Sequence, residues 1–203
     1  MVATIKVQEV TGTSGSKVYT DNGASATKVR LFTKDQATNQ TTPQITYPVP
    51  IPSSGYNYSY WKHICLDVSG SFTKVDNVRH YFDGAIGWNF GSGGQLRRGN
   101  KDTGDIGCPT ANYQQALGTE GVTGYTIEDA DNGHAYYKGE SSAVVNASSD
   151  TSPNGCTVDS TGVTTAGKTK MLVLQVKVDT AGNGAISGVQ TAETGTFKYD
   201  VID

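Results

Sequence analysis

The chain has 203 residues, 16 Lys and Arg against 19 Asp and Glu, and a formal net charge of −3. That length suits one domain, and the slightly acidic balance argues against a protein that coats nucleic acid, which would carry basic patches. No run approaches the roughly 18 apolar residues that span a membrane, and Met1–Val7 starts as a strand rather than as a signal peptide, so synthesis in a cytoplasm without export is expected.

Glycine is abundant, at 25 residues, and charged residues make up 17% of the chain, fewer than the usual quarter. Many short strands with Gly-rich turns are the signature of an all-β sandwich or barrel. The expectation is one β-sandwich domain, jelly-roll or Ig-like, over residues 1–203, with long Gly/Ser/Thr-rich loops and a loop-rich insertion at about 90–165.

In chain order, Ala3–Val10 reads as a first strand, with Lys17-Val18-Tyr19 as a short second one. Lys28–Thr33 reads as another strand, with Val29 and Leu31 on one face. Pro43–Pro52 reads as an edge strand or polyproline-like segment, because proline has no N–H to give to a ladder. The clearest stretch is Tyr56–Gly84. Its first run, Tyr58–Val68, alternates so that Ile64, Leu66 and Val68 share a core face, with Tyr58 and Tyr60 extending it and Trp61 and Cys65 behind. Its second run, Val75–Phe82, puts Val78 and Phe82 in one phase and Val75 in the other. The link Ser69–Lys74 suits a hairpin or a sheet-to-sheet arch.

Ala85–Phe90 reads as a short strand with Ile86, Trp88 and Phe90 in phase, and Gln95–Arg98 pairs back after a turn at Gly91–Gly94. Ala111–Leu117 has helical propensity for about two turns at most. Val122–Ile127 reads as extended. Ser141–Thr165 reads as a long surface excursion turning at Pro153-Asn154-Gly155, of the kind that is functional or held by a partner. Lys170–Asp179 is apolar on both phases, which predicts a central strand covered on both sides. Glu193–Val201 is the last strand.

The candidate chemistry is thin. Asp179–Ile186 resembles part of a calcium loop, but Ala181 and Gln190 stand where oxygen ligands are needed, and an Asn-Gly turn explains the same residues. Glu128–Gly133 concentrates carboxylates, yet His134 occupies the position that requires Gly. His63 and His80 lie on the two central strands, close enough in prospect to approach each other, and read as core histidines. Cys108 and Cys156 lie in loop-like sequence, and whether they pair stays open. No G-x-S-x-G elbow, phosphate loop or zinc spacing occurs. No catalytic, cofactor-binding or metal-binding residue is assigned, and the chain is not expected to be an enzyme. The interaction surface expected from exposed aromatic and basic residues is Trp88, Tyr136, Tyr137, Arg97 and Arg98.

Two blocks carry a resemblance. Ile51-Pro-Ser-Ser-Gly55, Asn57-Tyr-Ser-Tyr-Trp-Lys-His63 and Phe72–Gly84, and then Val173-Leu-Gln-Val176 with Glu193–Asp200, resemble uncharacterised structural-type proteins of tailed viruses of bacteria and archaea. The resemblance covers roughly residues 45–84 and 170–200. It implies a virion component: a capsid decoration, cement or minor head protein. Such a component would contact a major capsid protein or other virion proteins, form a homo-oligomer, and bind neither nucleic acid nor membrane. The alternative is a carbohydrate- or receptor-binding module that stacks sugars on Trp61, Trp88, Tyr136 and Tyr137.

Overall fold

The computed structural model describes residues 2–22, 29–37, 46–84 and 86–203. The strands are β1 (Ala3–Thr13), β2 (Ser16–Asp21), β3 (Asn57–Tyr58), β4 (Lys62–Gly70), β5 (Lys74–Phe82), β6 (Gln95–Gly99), β7 (Gly118–Thr119), β8 (Thr123–Gly124), β9 (Val144–Asn146), β10 (Cys156–Asp159), β11 (Gly167–Lys168), β12 (Leu172–Val178) and β13 (Gly195–Ile202). The main sheet runs β2-β1-β4-β12-β6-β9, with β11 and β3 at its margins. A second sheet runs β10-β5-β13, and β7 pairs β8. The chain is all-β, its ladders are antiparallel, and neither large sheet closes into a barrel.

The main sheet is apolar on both faces. Ile64, Leu66, Val68, Leu172, Leu174, Val176 and Val178 point to one side, where they meet Val75, Val78, Phe82, Cys156 and Val158 of the second sheet. Tyr60, Trp61, Cys65, Met171 and Val173 point to the other, where Cys108, Tyr113, Ile127 and Tyr137 from the 100–143 connection cover them. The doubly covered β12 follows from its run of apolar residues, as the sequence predicts. Residues 90–165 supply strands to both sheets as well as that cover: β6 lies between β12 and β9, and β10 pairs β5. The stretch read as a surface excursion at 141–165 buries Ala147, Asp150, Cys156, Val158 and Asp159.

Several expectations need correction. Tyr60 does not extend the Ile64 face. The strand breaks between β3 and β4, where Ser59 N–H donates to the Val176 carbonyl and Tyr60 N–H to the Phe32 carbonyl, so the phase resets. Val75 and Val78 both face the core because Asn77, at φ 50°, forms a bulge that inserts one residue between them. The β4–β5 link is the arch, since its two strands lie in different sheets. Gly70 in that arch, at φ 85°, leaves no room for a Cβ, which would stand 2.5 Å from the Val2 carbonyl oxygen.

Residues 29–33 form no ladder. Their alternation reflects packing of Val29 and Leu31 against the inter-sheet core, while Thr33 bonds to the Tyr47 carbonyl. Lys28 and Pro43–Ile45 lie outside the described residues. Residues 48–52 are irregular, with Val49 and Ile51 packed on the same core. The expected strand at 85–90 is reduced to one bridge, Phe90 to Ala185, although Ile86, Trp88 and Phe90 do share a face against the core; Ala85 itself lies outside the described residues. The helix expected at Ala111–Leu117 is a single 3₁₀ turn, Thr110–Asn112. Its glutamines are held by tertiary bonds instead: Gln114 takes Trp61 Nε1 on its carbonyl, and Gln115 donates to Asp35.

Candidate functional site

The groups capable of chemistry gather on the faces of the main sheet. β4 points His63 into the loop-covered face, and the turn after Asp129 brings His134 to it, with the two Nε2 atoms 2.9 Å apart. His134 Nδ1 accepts the Tyr136 N–H at 3.2 Å. The network therefore assigns the proton of His134 to Nε2, which donates to His63 Nε2 and leaves His63 protonated on Nδ1. Tyr113 packs its ring, tilted, against His63 at 4.5 Å, and Trp61 and Tyr137 flank His134 at 5.6 and 5.0 Å. Burial pushes His63 well below its ordinary pKa and His134 down to about 4. The pair is neutral at pH 7, closed to solvent, and ties the sheet to its cover.

His80 does not approach His63. It lies on β5 in the other sheet, with Phe82 and Phe197 against its ring at 5.0 and 4.9 Å, and burial lowers its pKa to about 4.

Arg97 and Arg98, expected on a surface, are 6% and 7% exposed. As neighbours in β6 they point to opposite faces. Arg97 pairs with Glu128 and donates to Gln175 Oε1 at 3.3 Å. Arg98 holds Asp150 through two bonds and Asn100 at 2.8 Å. Gln175 also donates to the Ser59 and Tyr125 carbonyls, at 2.9 and 2.7 Å. At the end of the core, Lys62 lies 3.7 Å from Glu9, donates to the Gln36 carbonyl, and sits 4.4 Å above the Phe32 ring. Burial lowers the Lys62 pKa and raises that of Asp35, which accepts from Gly12 N at 2.9 Å.

The aromatic candidates are dispersed as well. Tyr137 is fully buried and donates to the Ile106 carbonyl at 2.8 Å. Trp61 is buried and donates to Gln114. Trp88 and Tyr136 are half-buried, but Trp88 packs on the inter-sheet core and spends its N–H on Thr191, whereas Tyr136 packs on the opposite face under Lys101. The five residues form no common surface.

The acidic loops are internally bonded. Asp129 caps its own turn by accepting from the Asn132 and Asp131 N–H groups, which hold its carboxyl below the usual range. Asp179 accepts from Asn183 Nδ2, Thr180 N and Gly93 N, with the same effect. Among the described residues no group of three or more His, Cys, Asp or Glu side chains is placed to hold a metal. All three cysteines are free thiols; Cys108 and Cys156 lie in the two different cores and are not bridged.

One outward-facing feature is a rim. Among the described residues β13 pairs only β5, so its other edge carries no strand. Beside that edge Val2, Ala3, Ile5, Tyr199, Val201 and Asp203 line an open cleft of about 320 Å³. Val2 is 80% and Val201 43% exposed. The sequence does not disclose this rim, because its halves come from opposite ends of the chain. The available signal is a terminal strand with apolar residues on both phases. No helix among the described residues is long and apolar enough to cross a membrane. No family model, curated protein or solved structure matches this chain.

Proposed function

We propose that this chain is a virion structural protein: a β-sandwich of jelly-roll or Ig-like type that decorates or cements a capsid, or serves as a minor head protein, through contacts with a major capsid protein or other virion proteins. The observation that carries this reading is the division between inside and outside. Several buried basic and imidazole groups that could do chemistry are bonded to partners inside the chain, as in His63–His134, Arg98–Asp150 and Lys62–Glu9, and the His80 ring is packed between Phe82 and Phe197. The outward apolar residues Tyr199, Val201 and Ile202 lie on β13, whose far edge pairs with no strand among the described residues, and Val2 lines the cleft beside it. A strand edge with exposed apolar residues is a template for another chain. The resemblance of residues 45–84 and 170–200 to tailed-virus structural proteins points the same way. So does a chain that passes repeatedly between two sheets across the core they share.

The carbohydrate-binding alternative draws less support, because the rings of Trp61 and Tyr137 are buried and those of Trp88 and Tyr136 lie on different faces. The test is co-sedimentation of the purified chain with particles from its source that lack it. Saturable addition to the particles is the expected result. A chain that never adds back, and is absent from intact particles by mass spectrometry, overturns the reading.

A further inference from the structure

The charges on β13 are mismatched within the chain and matched within the strand itself. Across the β5–β13 ladder, Lys198 stands opposite Arg79 and Asp200 opposite Asp76. Like charges directly opposed weaken a ladder. Lys74 offsets Asp76 at 2.5 Å, and Asn77 donates to Asp200 at 2.7 Å. Lys198 has no ion-pair partner among the described residues. On the inner face of the same strand, Tyr199 and Val201 line the open cleft beside Ala3 and Ile5.

We propose that β13 is a self-association edge, at which two copies of the chain pair antiparallel about a two-fold axis through Tyr199. Directly opposed residues of a sheet point to the same face, so a two-fold pair of identical strands must oppose residues of like parity. Centring on Lys198 sets Lys against Lys. Centring on Asp200 sets Asp against Asp. Centring on Phe197 or Val201 leaves both charges unmatched. Only the register centred on Tyr199 sets Lys198 against Asp200 of the second copy at both ends, and it also sets Phe197 against Val201 and Thr196 against Ile202. The three-stranded sheet then continues through the axis into the sheet of the second copy, and the exposed rim is covered. The proposal rests on reading this rim as a protein-contact surface, and not on the identity of any other partner.

Sedimentation of the full chain over a range of concentrations tests it. The expected species has twice the 21.4 kDa chain mass. Lys198→Glu weakens the dimer by about tenfold or more, since it sets like charges against each other twice. Lys198→Glu with Asp200→Lys restores it, because the pairs return with their signs exchanged. That double variant also turns the like-charge pairs with Arg79 and Asp76 into opposite ones, so the fold is not put at risk; a denaturation midpoint no lower than the parent's confirms this. Tyr199→Cys forms a disulfide-linked dimer under mild oxidant, since opposed antiparallel residues have Cα atoms about 4.5–5.5 Å apart. A monomer at every concentration, a dimer indifferent to Lys198→Glu, or a double variant no better than the single one overturns the inference. A monomer that still adds to particles removes the self-pairing and leaves the virion reading standing. A β13-paired dimer that never adds does the reverse.

Discussion

The Nε2 atoms of His63 and His134 meet at 2.9 Å across the boundary between the main sheet and the loops that cover it. This bond joins residues 71 positions apart, and both rings are excluded from water. A buried imidazole must gain its proton against the cost of desolvation, so acid acts on the fold through these side chains.

Stability is expected to fall as pH drops from about 6.5 to about 4. The folded-state pKa values of His80 and His134 are depressed to about 4, below their ordinary 6.5. In that window the unfolded chain binds more protons than the folded one, so acid favours unfolding, and the stability is fully present only above the window. A depression of this size is worth roughly 3 kcal/mol for a single histidine. Urea midpoints at pH 7.5, 5.5 and 4.5 should therefore decrease in that order. A flat profile through this range counts against neutral buried histidines.

Asp150→Asn leaves the buried Arg98 guanidinium without its charge partner. Removing one member of a buried pair costs about 3–5 kcal/mol. Glu128→Gln also strips a buried guanidinium, Arg97, of its charge partner, but Glu128 itself is 40% exposed and water reaches its side of the pair, so this loss should be the smaller of the two. Chemical denaturation of the two variants beside the parent chain gives both values, and equal losses would contradict the difference in burial.

Asn77 holds the β5 bulge at φ 50°. Asn77→Gly should be tolerated to within about 1 kcal/mol, because glycine accepts that backbone conformation freely, whereas Asn77→Val should cost more, about 1–3 kcal/mol, since a β-branched side chain is strained there. The ratio of the two losses in thermal or urea unfolding is the readout.

The three thiols are free and buried, and burial pushes the pKa of Cys65, Cys108 and Cys156 up to about 12. In the native protein they should stay silent toward an aromatic disulfide reagent at pH 8, and all three should react once denaturant is added. Rapid native labelling of any of them would mean that the layer above it opens.

The legible parts of this fold are those set by local periodicity. The phase of Ile64, Leu66 and Val68, and the two-sided burial of Leu172–Val178, follow from alternation and from unbroken apolarity. What alternation cannot register is an interruption of its own period. The break at Ser59–Trp61 sends Tyr60 to the opposite face, and the bulge at Asn77 brings Val75 and Val78 to the same one. Arg97 and Arg98 read as part of an exposed interaction surface because a charge pair beside Gly-rich sequence is commonly solvated. Their burial depends on Glu128 and Asp150, which lie 31 and 52 positions away. The His63–His134 bond and the rim between Ile5 and Tyr199 are invisible for the same reason: each is made only when distant segments meet.

The main sheet is a wall shared by two interiors. Neither the second sheet nor the loop cover has an apolar floor of its own, so each loses its footing if β4 or β12 lets go. Heat or denaturant should thus find one transition rather than two. For anyone wishing to graft a peptide onto this scaffold, the 100–143 connection is roofing rather than slack. The exposed bend at Gly188-Val189 is the place where added chain would disturb neither room.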